Sequence, residues 1–174
     1  AHCALPRYAA EIPAETARDL DLYLTVARSL LAGTAVPSAL GVDEEAKALV
    51  ADALAAAGTK TVQLFGRDRV VDFAALEPRG HYALDAKMQG YFRAVGWLGR
   101  LEWNLVSRSC RSSQPPPSID ASETPREVVG ALALAGLLER SGALSDVGLL
   151  DRAFALLSGR REDVSVAELL ALRA

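Results

Sequence analysis

Between Asp85 and Arg100 the chain reads DAKMQGYFRAVGWLGR, a helix of about four turns with glycine at positions 90, 96 and 99. Each glycine inside a helix costs roughly 1 kcal/mol against alanine. A helix that keeps three of them is expected to have another backbone close by. Asp85 stands where an N-cap would open this helix, and the preceding Pro78-Arg79-Gly80-His81-Tyr82 reads as a turn. At 100° per residue, Met88, Tyr91, Phe92, Val95, Leu98 and Gly99 share one arc, while Gln89, Arg93, Arg100 and Asn104 fall opposite. The first arc is expected to face the core, with Trp97 at its boundary, and the second to meet solvent or a partner. This helix is expected to be the central one.

Start and stop signals recur along the rest of the chain. Ala1 to Ile12 has no clear period and reads as an extended arm. Pro13 and Glu15 suit the first turn of a helix that carries Leu20, Leu22, Tyr23, Val26, Leu30 and Leu31 at helical spacing and stops at Gly33. Asp43 is expected to cap a second helix running to Ala57, with Glu44 and Glu45 in its first turn. Dipole complementarity explains that acidic trio without a metal, since a hard cation wants oxygens converging from several segments. Thr61 to Phe65 and Arg69 to Phe73 read as a small hairpin turning at Gly66-Arg67-Asp68, which must lean on the helices to be stable.

Beyond Arg100, Leu101 to Leu105 fits either a continued helix or an extended segment. A continued helix would drive Glu102 into the apolar arc, and the rarity of unpaired buried carboxylates favours a break near Gly99. Residues 107–122, rich in serine and containing Pro115-Pro116-Pro117, form the chief internal loop and read as a spacer. Thr124, Pro125 and Glu127 suggest a capping box opening a helix with Val128, Leu132, Leu134, Leu137 and Leu138. A following helix over Leu144 to Leu157 is expected to fold back as an antiparallel hairpin, and Ser165 with Glu168 caps a short terminal helix. The expected fold is mostly α, a single helical domain over residues 1–174 of about six helices with a minor β hairpin.

The composition narrows function more than it defines it. A net charge of −3 supplies no global basic field, so nucleic acid is not an expected partner. No stretch approaches the roughly 18 consecutive apolar residues of a membrane span, and no motif for a cofactor or metal is present. His81 is the natural general base, since His2 stands in the N-terminal arm. With Arg79, Tyr82, Arg93 and Arg100 it forms a candidate binding set. No nucleophile elbow, phosphate loop or paired-carboxylate motif accompanies it, which favours a structural role for the turn over catalysis.

The Pro78 to Tyr82 turn, followed by Tyr91-Phe92-Arg93-Ala94 and by Trp97, Gly99 and Arg100, resembles a bacterial family catalogued only as domain of unknown function 3160. Asp19 to Leu31 and Glu139 to Asp163 are similar to that family as well, so the resemblance covers most of the chain. It implies an exported or lipoprotein-like protein of greater length, of which this chain would be an excised, processed or compact member with its signal already removed. It implies no activity. An oxidising compartment would let Cys3 and Cys110 form a disulfide, the alternative being two unpaired thiols. Two functions from different classes remain: an extracytoplasmic structural or interaction module, whose partner is another protein or the remainder of a longer precursor, and a hydrolase-like enzyme with His81 at the rim of a cleft.

Overall fold

Nineteen residues from Ala14 to Ala32 form α2, the helix at the centre of the fold. The computed structural model describes residues 1–101, 103–105, 126–159 and 163–172. Pro13 precedes α2, Glu15 lies in its first turn, and Gly33 ends it in the left-handed conformation at φ 68°. Because Leu20, Leu22, Tyr23, Val26 and Leu30 recur at helical spacing, α2 buries a broad arc, and α3 (Asp43–Leu54), α4 (Ala86–Arg100) and α5 (Glu127–Arg140) all rest on it. The hub is therefore α2 rather than α4, contrary to the expectation from sequence. Among the described residues the architecture is mostly α, with seven helices and one two-stranded antiparallel hairpin.

The first twelve residues are not an extended arm. A 3-10 turn over His2–Ala4 leads into α1 (Leu5–Tyr8), with Pro6 in the first turn, where a missing N–H costs nothing. Leu5 and Tyr8, three residues apart, point to one side and are buried, as is His2. Asp43 is the first residue of α3 rather than its cap. Its carboxylate turns back to accept from the Ser38 N–H at 2.9 Å and the Ser38 hydroxyl at 2.8 Å, bonds that hold its pKa below the usual range.

The hairpin joins β1 (Thr59–Leu64) to β2 (Arg67–Asp72), with Leu64 opposite Arg67. Its turn is Phe65-Gly66, beginning one residue earlier and ending two earlier than the turn read from sequence. Both have positive φ, 54° and 82°, as a primed turn requires. A phenylalanine there is strained, and burial holds it in place: its ring lies 4.0 Å from that of Trp103 and 6.0 Å edge-on to Tyr23. Val62, Leu64 and Val71 face the same core, while Val70 points to solvent.

The face of α4 that meets the core differs from the predicted arc. Gly90, Ala94 and Trp97 are buried, and Leu101 continues that line, while Met88, Tyr91, Val95 and Leu98 are exposed and Phe92 is half-buried. The reason is the close approach that the glycines allow. A Cβ on Gly90 would stand 2.6 Å from the Leu31 carbonyl oxygen, so the α2–α4 contact is backbone against backbone. Two hydrogen bonds cross it: the Trp97 indole N–H donates to the Tyr23 carbonyl at 3.0 Å, and the Tyr23 hydroxyl donates to the Leu98 carbonyl at 2.9 Å. Helix α4 ends at Arg100, with the break expected near Gly99, and Glu102 lies outside the described residues.

At the C-terminal side, α5 begins at Glu127, with Arg126 at the N-cap position. The fully buried Glu127 carboxylate accepts from the Asn104 N–H at 2.5 Å and side-chain amide at 3.1 Å, and it makes ionic contact with Arg67 and Arg69. Thr124, Pro125 and the 107–122 segment lie outside the described residues. Helix α6 (Leu144–Ser158) leaves α5 at a bend of 110° and does not fold back along it; α7 (Val166–Ala171) packs on α5 instead. The expected antiparallel hairpin is therefore absent, and the Ser165–Glu168 capping box of α7 is present.

Candidate functional site

The turn before α4 is built as its residues dictate. Gly80 takes a φ of 55°, a 3-10 turn spans Gly80–Ala83, and the Asp85 carboxylate accepts from the N–H groups of Lys87 and Met88 at 2.9 and 3.2 Å. The His81 ring is exposed and lies 4.1 Å from the ring of Tyr82, which in turn stacks on Tyr91 at 6.3 Å and tilts against Phe92 at 5.2 Å. These four rings join the turn to the outward side of α4. Arg79 is exposed in the same turn.

Arg93 and Arg100 do not join this group. Each lies two residues, hence about 200°, around the helix from an exposed apolar residue, Tyr91 or Leu98. The candidate set of Arg79, His81, Tyr82, Arg93 and Arg100 is thus split, with the aromatic part near the turn and the two helix arginines on another side of α4. A cleft of about 140 Å³ opens elsewhere, between α2 and α3, lined by Ser29, Val36, Pro37, Asp43, Lys47 and Val50 among others. His81 is not part of it. No group of three or more His, Cys, Asp or Glu side chains able to hold a metal occurs among the described residues.

A profile for the family described as Protein of unknown function (DUF3160) matches residues 6–174. The chain belongs to that family. No curated protein and no solved structure matches it. Within this DUF3160 member, no single described helix is long and apolar enough to cross a membrane.

Two polar clusters escaped the sequence reading, and both are anchored on α2. In the first, the buried Asp21 accepts from the N–H groups of Ala39 and Leu40, at 3.0 and 2.6 Å, and from His2 Nε2 at 2.7 Å. The Arg28 guanidinium, which can only donate, bonds His2 Nδ1, so His2 carries its proton on Nε2 and directs it at Asp21. The Thr25 hydroxyl completes the group, 3.2 Å from the same carboxylate. His2 is therefore fixed and buried rather than part of an extended arm. Its ring nitrogens are both engaged within the fold.

The second cluster is centred on Asp19. Its carboxylate accepts from the Phe65 N–H at 3.1 Å and pairs with Arg126 at 2.8 Å, which also reaches Glu15 at 3.1 Å. Burial raises the Asp19 pKa, and the Arg126 charge and the Phe65 N–H oppose that rise. The only signal in the sequence was the pair of acids at 19 and 21 in the otherwise apolar stretch from Asp19 to Tyr23. Cys3 is exposed, and Cys110 lies outside the described residues.

Proposed function

We propose that this DUF3160 protein is a noncatalytic interaction module that works outside the cytoplasm, and that its contact face is the outward stripe of α4 with the His81–Tyr82 turn at one end. One observation carries the reading. Met88, Tyr91, Val95 and Leu98 are exposed in a row, at 38 to 46%, on a helix whose opposite side is held to α2 through Gly90, Ala94 and Trp97. An apolar row on a rigid helix offers a partner surface that needs no ordering before it binds, and contiguous exposed apolar patches mark interaction sites. Catalysis by His81 has no comparable support, because the residue is exposed and does not line the cleft between α2 and α3. The extracytoplasmic setting rests on the exported character that the family resemblance implies.

The test is site-specific photo-crosslinking in cells that make the protein, with the reactive residue at position 95 or, as a control, at the solvated Glu44 on α3. Adducts from position 95 and none from position 44 are expected. Absence of any adduct from position 95 overturns the reading.

A further inference from the structure

The buried group around His2 holds two charged partners with opposite demands on one ring. The residue is 8% exposed. Its Nε2 lies 2.7 Å from the Asp21 carboxylate and 3.1 Å from the Thr25 hydroxyl, while its Nδ1 accepts from the Arg28 guanidinium. Asp21 is fully buried, and its other backbone partners are the N–H groups of Ala39 and Leu40, which only donate and never change charge.

This arrangement fixes where a second proton must go. Nε2 already carries the ring's proton, so charging the imidazole places the new one on Nδ1. Nδ1 then becomes a donor facing a guanidinium, which has no acceptor to offer. The hydrogen bond is lost, and like charges are left in contact. Asp21 has the opposite preference, because a charged ring is a stronger, charge-assisted donor to it. Only one of the two partners is free to leave. Asp21 is fully buried and tied to the backbone, whereas Arg28 is half-buried and its long side chain can carry its head into water. The other charged groups on the elements around the ring do not compete for it. Ala1 and Cys3, which flank His2, are exposed, as is Arg7 on α1. On α2, Arg18 pairs with Glu45, and Glu15 and Asp19 pair with Arg126; in the loop before α3, Ser38 holds Asp43.

We propose that the His2 ring is a proton-operated switch for Arg28. The neutral ring holds the guanidinium against the N-terminal turn; the charged ring keeps Asp21 and expels Arg28 into solvent. The buried carboxylate is then matched by the imidazolium, so the loop at Ala39 and Leu40 stays in place. Acid thereby adds a free positive head group to the surface beside the N-terminal turn. This goes beyond the contact face on α4, which takes no part in it.

Nitrogen-15 NMR of the full chain reads both halves of the switch. The ring nitrogens of His2 report its protonation, and exchange of the Arg28 guanidinium protons with water, taken relative to the exposed Arg7 in the same sample, reports whether the head is held. The titration runs from about pH 8 down to the lowest pH at which helical circular dichroism is unchanged. The Arg28-to-Arg7 ratio is expected to rise by about tenfold or more in step with protonation of the ring, the factor that goes with losing one hydrogen bond of a charged group. His2→Gln offers an oxygen to Arg28 and an N–H to Asp21 at every pH, so in that variant the ratio should stay flat. Arg28→Gln tests the same exchange without altering the ring: its amide can donate to the neutral imidazole and accept from the charged one, so it should stay ordered throughout the titration. A ring that remains neutral over the whole range, a ring that charges while Arg28 stays held, or an equal rise in the His2→Gln variant would overturn the proposal.

Discussion

Replacing Gly90 by alanine sets two effects of known size against each other. Helix propensity alone predicts a gain of about 1 kcal/mol. The added methyl carbon, however, would lie 2.6 Å from the Leu31 carbonyl oxygen and 3.0 Å from that of Leu30, both backbone atoms that cannot rotate away. To reach the 3.4 Å at which ordinary contact begins, α2 and α4 must part locally by about 0.8 Å. That displacement stretches the Trp97–Tyr23 and Tyr23–Leu98 hydrogen bonds, now 3.0 and 2.9 Å, beyond useful length. Overpacking of a tight interface costs about 1–3 kcal/mol and each of the two lost hydrogen bonds about 1, so the propensity gain is outweighed and a net loss of at least about 2 kcal/mol is expected. Gly99 is the internal control. Nothing lies within 4 Å of its missing Cβ, and Gly99→Ala should stabilise by about 0.5–1 kcal/mol. The two variants should differ in Tm by roughly 6–12 °C for a chain of this size. Thermal melts in which both substitutions shift Tm upward would refute the claim that backbone contact at Gly90 sets the α2–α4 distance.

Burial pushes the pKa of the Tyr23 hydroxyl from 10.0 up to about 12, so the neutral form is favoured in the folded state. The stability linked to it is fully present below about pH 10 and lost as pH rises towards 12, a loss of roughly 2–3 kcal/mol; denaturant midpoints should fall over that window, and Tyr23→Phe should flatten the fall, whereas an unchanged profile would contradict the linkage. Cys3 and Cys110 are expected to be bridged in protein taken from an oxidising compartment, stabilising by up to about 4–5 kcal/mol on the chain-entropy account; intact mass after alkylation without reductant would show two modified thiols if they are not.

Local signals in this sequence were legible and the phase of α4 was not. The Asp85 cap, the Gly33 stop and the Ser165–Glu168 box each depend on residues within one turn, so tertiary context could not override them. The α4 arc was chosen by hydrophobicity, which weights Met88, Tyr91, Val95 and Leu98 above glycine and alanine. Close helix packing ranks them the other way, because only small side chains let the backbones meet. Gly90, Ala94, Trp97 and Leu101 recur at four, three and four residues, so the true face was written in the glycine that had already signalled a close neighbour. The aromatic part of the candidate site was legible for a related reason: Tyr82 lies close in sequence to the helix it packs on. The N-terminal turns were not, since what fixes them is His2 meeting Asp21 and Arg28 on a helix that periodicity describes only as amphipathic.

Those buried polar residues also explain why α2, rather than the more distinctive α4, is the hub. In Asp19-Leu20-Asp21-Leu22-Tyr23 every side chain is buried, so two carboxylates have been taken out of water at a cost that only several hydrogen bonds can offset. Asp21 recovers it from the His2 ring and from two backbone N–H groups in the loop before α3. Asp19 recovers it from the N–H of Phe65, in the strained hairpin turn, and from Arg126, at the start of α5. Tyr23 adds the last turn of α4. Apolar burial alone would allow these segments to slide along α2, because it has no direction. Hydrogen bonds to a buried carboxylate do have direction, and a segment that slid away would leave that charge unpaired. Each segment is therefore fixed in register by the same few residues of one helix, and α4 can keep its outward stripe free because its place is set from the other side.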